Sequence, residues 1–252
     1  MHDLRHTRAL VTGGSRGLGL GIVEALAMRG AAVNVIARDP AKLAAAENLG
    51  ATVQAGDATD AALMEAVVAD LRPTALILNA GATPLMADLD EQTWESFSTV
   101  WDTDVKSGFY GIQAAVKTPL PTGSRVLIAS SGAATVGAPL SGSYAGAKRM
   151  LWFMAQYANE IAAERGLGIT FQVLVPLQMI GNTELIREVA GAYARRAGVS
   201  VDAFVAGRYG KAAMTAREYG EHIATILTDA RYASGVAYGI DRANGIRPLD
   251  GA

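Results

Sequence analysis

The chain has 252 residues, half of them apolar, with a net charge of −2 and no cysteine. This balance gives no field suited to nucleic acid or an acidic membrane surface. The lack of cysteine excludes disulfides, thiolate metal sites and a cysteine nucleophile. His2, His6 and His222 are scattered, which argues against a metal cluster. No apolar run reaches the roughly 18 residues of a membrane span, and the first ten residues lack a signal-peptide core, so a soluble cytoplasmic protein is expected.

Arg8 to Thr12 reads as a buried strand, and Thr12-Gly13-Gly14-Ser15-Arg16-Gly17-Leu18-Gly19 follows it. Helical periodicity then runs from Leu20 to Arg29. Strand, glycine loop and helix together form a phosphate cradle. Glycines let the backbone approach the phosphates, and the helix N-terminus offers free N–H groups. Gly13, Ser15, Arg16, Gly17, Leu18 and Gly19 are therefore candidate cofactor contacts. Gly30 to Ala37 reads as the second strand, with Arg38 just beyond its tip. Arg38 and Arg16 suit a 2′-phosphate, which favours NADP. Asp39, if shifted toward the ribose, would favour NAD; it also suits a cap on the helix Pro40 to Asn48.

Ala51 to Ala55 is a third strand, followed by Asp57 and Ala58. Asp57 either reaches an adenine amino group or holds a turn, and position alone leaves both open. Asp60 suits a cap on the helix Ala61 to Leu71. The fourth strand, Thr74 to Leu78, ends in Asn79-Ala80-Gly81, where an Asn can also be purely a turn former. Glu91 to Lys117 supports one long helix, with Trp94, Phe97, Val100, Trp101, Val105, Phe109 and Ile112 on a buried stripe.

Gly123 to Ala129 is a fifth strand, running into Ser130 and Ser131 and a loop of small residues. The helix Ser143 to Glu164 follows and carries Tyr144 and Lys148 on one face. A phenol titrating near 10 is a poor acid-base group at neutrality, and a neighbouring ammonium favours its ionised form. Gly168 to Val175 is a sixth strand, stopped by Pro176. Residues 181–213 are mixed and polar with helical patches, as in a substrate-covering lid. A helix Thr215 to Thr228 and a last strand Val236 to Ile240 precede a Gly- and Arg-containing tail. The alternation predicts an α/β fold: one doubly wound parallel sheet of about seven strands, Rossmann-type, in a single domain over 1–252.

Taken together, these pieces resemble the short-chain dehydrogenase/reductase family, in its branch with a Thr-Gly-x-x-x-Gly-x-Gly loop. The resemblance runs through Thr12 to Gly19, Asp57, Asn79-Ala80-Gly81, Ser131 and Tyr144-x-x-x-Lys148, in the family's order over nearly the whole chain. It implies hydride transfer between NADP (with NAD as the alternative) and a small carbonyl or secondary alcohol; a member that binds the nucleotide without turnover is the other alternative. Tyr144 would be the acid-base, Lys148 would bind the nicotinamide ribose and lower the tyrosine pKa, and Ser131, better spaced than Ser130, would hold the substrate oxygen. Asp57 and Ala58 would meet adenine, and Asn79 to Gly81 would lie under the adenosine ribose. A homodimer or homotetramer is also implied.

Three departures stand out. Asp104-Val105-Lys106 replaces an Asn-hydrophobic-Lys setting. A carboxylate near Lys148 would stabilise its charge and partly offset its effect on Tyr144; the expectation is a proton relay through the backbone carbonyl with an altered pH profile. Pro176-Leu177 replaces Pro-Gly beside the nicotinamide, with Thr183 a stretched match for the later threonine. Asp241-Arg242-Ala243-Asn244-Gly245 replaces Asp-Gly-Gly and is expected to alter subunit contacts. Val136, Leu140, Met179, Ile180, Leu185, Tyr193, Phe204 and Tyr209 suggest an apolar substrate, or else pack the lid onto the body.

Overall fold

The computed structural model describes residues 4–118, 120–181, 184–209 and 213–249. Thr183 and the side chains of Leu185 and Tyr209 lie outside the described part. The chain begins β1 (Arg8–Thr12), α1 (Gly17–Met28), β2 (Ala32–Ala37), α2 (Pro40–Glu47), β3 (Thr52–Ala55), α3 (Ala61–Leu71) and β4 (Ala75–Leu78). It continues with α4 (Trp94–Val100), α5 (Lys106–Lys117), β5 (Arg125–Ala129), α6 (Ala133–Val136), α7 (Tyr144–Glu164) and β6 (Thr170–Pro176). The last elements are α8 (Glu184–Ala197), α9 (Val201–Tyr209), α10 (Ala216–Thr228), β7 (Ala237–Asp241) and β8 (Gly245–Pro248).

The strands form one sheet in the order β3-β2-β1-β4-β5-β6-β7-β8. β1 to β7 are parallel, and β8 pairs antiparallel with β7. The sheet thus has eight strands rather than about seven. The Gly- and Arg-containing tail supplies the additional edge strand, closed by the tight turn Asp241 to Gly245. Central strands such as Ala75–Leu78 are buried along their whole length, as expected for strands covered on both faces. One apolar core joins the sheet to α3, α5 and α7, and the other joins it to α1, α2 and α10.

Strand order reverses between β1 and β4, where ligands collect in open parallel sheets. Thr12 pairs with Ile36 on one side and Leu78 on the other, so all three strand tips share one edge.

The helix expected over Glu91 to Lys117 is broken. A capping box of Thr93 and Ser96 starts α4, and a π-helical turn over Trp101–Val105 separates it from α5. The expected stripe is only partly core: Val100 and Ile112 are buried, whereas Trp94, Trp101 and Phe109 are exposed. Such single π turns recur at functional sites because they redirect a side chain. Here the buried residue of the turn is Asp104.

Candidate active site

The tips of β1 and β4 are tied together. The Thr12 hydroxyl accepts from the backbone N–H groups of Asn79 at 3.0 Å and Ala80 at 3.1 Å. The Asn79 side-chain amide donates back to the carbonyls of Thr12 at 3.2 Å and Gly13 at 3.3 Å. Gly13 and Gly17 have φ of +69° and +54°, a region open to glycine. A β-carbon on Gly19 would run into the Gly13 carbonyl and the Asn79 amide, so α1 starts pressed against the loop. Ser15 is buried and Leu18 half-buried, and Arg16 is exposed at the head of α1.

Beyond β2, Asp39 accepts from the Ala41 N–H at 3.0 Å and lies 3.5 Å from the Lys42 ammonium. Its carboxylate is therefore engaged by α2, as the capping reading expects, and Arg38 is left exposed at the strand tip. Asp57 accepts from the Thr59 N–H at 2.9 Å, so it does hold a turn. Asp60 caps α3 by accepting from Ala62 and Leu63.

The two serines after β5 have separate fates. Ser130 is buried, and its hydroxyl donates to the Lys148 carbonyl at 2.9 Å. Ser131 accepts from the Ala133 N–H at 3.2 Å and borders open space. Ser141 and Ser143 donate to the carbonyls of Ala138 and Phe97 and shape the loop. Tyr144 opens α7 and is half-buried. One turn on, the Lys148 ammonium lies 5.7 Å from the centre of the Tyr144 ring and donates to the Ala129 carbonyl at 3.2 Å. Asp104 approaches that ammonium to 2.8 Å, as an ion pair. Burial works against the Lys148 charge, but Asp104 and then Tyr144 outweigh it and hold the ammonium above its ordinary range.

One cavity of about 1870 Å³ brings these parts together. Ser131, Tyr144, Lys148 and Asp104 line it, as do Gly13, Ser15, Arg16, Gly17, Leu18, Gly19, Arg38, Asp57, Ala58, Asn79, Ala80, Gly81 and Pro176. Val136, Met179, Ile180, Tyr193 and Phe204 also line it, while Leu140 is buried away from it. Tyr193 of α8 and Phe204 of α9 stack with their centroids 6.0 Å apart. Arg196 at the end of α8 pairs with Asp88 at 2.6 Å, and the segment is closed at its base by the bridge from Ile180 to Met214. Leu177 follows Pro176 on the cavity wall. Its N–H donates to Ile240 at 2.9 Å, and its side chain lies over Gly239, where a β-carbon would come within 2.6 Å of it.

The sequence reading missed several lining residues: Lys42, Met86, Asp241 and Arg247. Lys42 had a signal, a second cation one turn past Asp39. Asp241 and Arg247 had none without the β7–β8 hairpin that carries them. Among the described residues, no group of three acidic or histidine side chains is placed to hold a metal. Among the described residues, no helix is long and apolar enough to cross a membrane.

Residues 7–192 match the model of the short chain dehydrogenase family. The chain is 49% identical over 84 residues to a galactitol 2-dehydrogenase of Rhizobium johnstonii, a match covering 29% of this chain and 33% of that protein. It is 31% identical over 199 residues to the hydroxynaphthalene reductase arp2 of Aspergillus fumigatus, covering 74% of this chain and 70% of the relative. The fold is that of an NADPH-bound short chain oxidoreductase of Pseudomonas aeruginosa PAO1, with a TM-score of 0.79, 22% identity and 96% of each chain covered. With its family model matched from the first strand into α8, the chain belongs to the short-chain dehydrogenase family.

Proposed function

We propose that the protein is an NADP(H)-preferring oxidoreductase that interconverts a carbonyl and a secondary alcohol. The carrying observation is that Ser131, Tyr144 and Lys148 line the same cavity as the glycine loop. The residues fit a dinucleotide. Gly13, Gly17 and Gly19 line the cavity beside the N-terminus of α1, where phosphate is favoured. Asp57 and Ala58 would meet adenine, Asn79 to Gly81 its ribose, and Pro176 the nicotinamide end; all of them line the one cavity.

The bound nicotinamide supplies hydride to the carbonyl carbon in reduction and receives it in oxidation. Tyr144 gives a proton to the substrate oxygen in reduction and takes it back in oxidation. Ser131 donates a hydrogen bond to the same oxygen and holds it near Tyr144. Lys148 presents a positive charge 5.7 Å from the centre of the Tyr144 ring, close to the oxygen on which charge develops during proton transfer. A Tyr144→Phe variant should bind cofactor and lose at least about 100-fold in turnover. Unchanged turnover would sink the assignment.

The NADP preference rests on Arg16, Arg38 and Lys42, which all line the cavity, and on the engagement of Asp39 by α2. The Pseudomonas neighbour holds NADPH. Titrating NADPH and NADH against the protein tests this, and tighter NADH binding refutes it.

Helices α8 and α9 act as the cover of the substrate end, offering Val189, Tyr193 and Phe204 to the cavity. Met86, Val136 and Met179 line the same cavity, so the substrate is largely apolar. A panel of ring-bearing and short-chain ketones and alcohols, read by nicotinamide absorbance, tests this. Higher kcat/KM for small polar substrates would contradict it.

A further inference from the structure

Asp104 and Lys148 are opposite charges with side chains only 1% and 8% exposed. The carboxylate reaches two separate elements. One oxygen accepts from the Ala82 N–H at 2.7 Å, just past the Asn79 to Gly81 turn. The other meets the Lys148 ammonium on α7. Gly81 makes room for this, since a β-carbon there would lie 2.9 Å from the carboxylate. An ammonium has three N–H donors. One goes to the Ala129 carbonyl, while Asp104 faces the ammonium as an ion pair at 2.8 Å.

We propose that Asp104 is a positioning residue whose carboxylate braces the Asn79 to Ala82 turn and fixes the orientation and charge of Lys148 by a direct ion pair. The kinetic consequence rests on the oxidoreductase reading; the pair itself does not. A buried ammonium without a partner is costly. Among the described residues, the titratable groups acting on Lys148 are Asp104 from the π-helical turn and Tyr144 from its own helix. β5 contributes only the uncharged Ala129 carbonyl. Without Asp104, the ammonium should therefore survive to a less alkaline pH.

Asp104→Asn is the test, because an amide oxygen still accepts from Ala82 while the charge is gone. NADPH binding, followed by quenching of intrinsic fluorescence, reports on Lys148 without turnover. Its alkaline midpoint should fall by about one pH unit or more in the variant, and kcat/KM should follow. Profiles that superimpose, or drop by one factor at every pH, would show a merely structural role and overturn the proposal.

If neither cofactor binds the parent, the oxidoreductase reading fails and thermal unfolding decides this proposal instead. The folded-state value of Lys148 is raised, so its stabilising share is complete below the unfolded value and fades above it. The parent should be more stable than Asp104→Asn near neutrality, and the gap should close as pH rises toward and past the unfolded lysine value of roughly 10.4, because the variant's amine loses its proton first. A gap independent of pH would refute the ion pair's role.

Discussion

Gly21 of α1 and Gly220 of α10 meet with no side chain between them: a β-carbon on Gly220 would land on the Gly21 carbonyl. A β-carbon on Gly21 would likewise land on the carbonyl of Ala216. The contact sets how closely α10 lies against the helix that heads the glycine loop. Overpacking such a site costs roughly 1–3 kcal/mol. Gly220→Ala should therefore lower Tm by about 2–4 °C per kcal/mol lost and weaken cofactor binding as α1 shifts. Calorimetry and fluorescence titration check both, and an unchanged Tm would mean that the helices part freely.

The amide of Asn79 links the β4 tip to two carbonyls of the β1 loop. Asn79→Ala leaves those half-buried acceptors with less to bond, a loss of about 1–3 kcal/mol. Denaturant melts should show the loss, and NADPH should bind more weakly because the loop is no longer pinned. Asn79→Asp should be no better, since a carboxylate cannot donate to either carbonyl.

His222 supplies a pH dependence. Burial holds its imidazole below the ordinary value, against the pull of Glu218, Asp241 and Glu221. The unfolded chain therefore takes up the proton first as pH falls. Stability is complete above about pH 6.5 and declines as pH drops through it, until the folded form is protonated too. The Tm of the parent should fall more between about pH 7.5 and 5.5 than that of His222→Gln. Parallel curves would remove His222 as the cause.

Aromatic side chains are left outside on neighbouring helices. Phe109 of α5 is 46% exposed, and Phe153 and Tyr157 of α7 are 37% and 51% exposed. Phe153 and Tyr157 stack at 6.4 Å, and Arg149 lies over Phe153 at 5.0 Å. A second copy presenting the same two helices would bury this face, which accords with a homodimer or homotetramer. Phe153→Glu should yield a monomer by light scattering at micromolar concentration. A parent that is already monomeric would defeat the idea.

The order of elements was legible in the sequence because it rests on local signals. The Thr12 to Gly19 loop needs only glycines between an apolar run and a helical period. Asp39 and Asp60 cap helices through N–H groups two or three residues away. Tyr144 and Lys148 share a face because a helix turns once in about four residues. Ser131 could be preferred to Ser130 by its spacing to Tyr144; both serines border the cavity, and the Ser130 hydroxyl donates to the Lys148 carbonyl.

What only the tertiary structure decided depends on residues far apart in the chain. The π-helical turn that carries Asp104 inward leaves no mark in a hydrophobic period. Lys148 meets Asp104 because α7 packs on that turn, not because of any local spacing. The β7–β8 hairpin, with Asp241 and Arg247 on the cavity, forms because a free sheet edge offers unpaired N–H and C=O groups to a chain that can turn back. Sequence alone thus fixes which groups exist and which helix or strand carries each. Packing decides which of them share a charge, a cavity or a solvent-excluded contact.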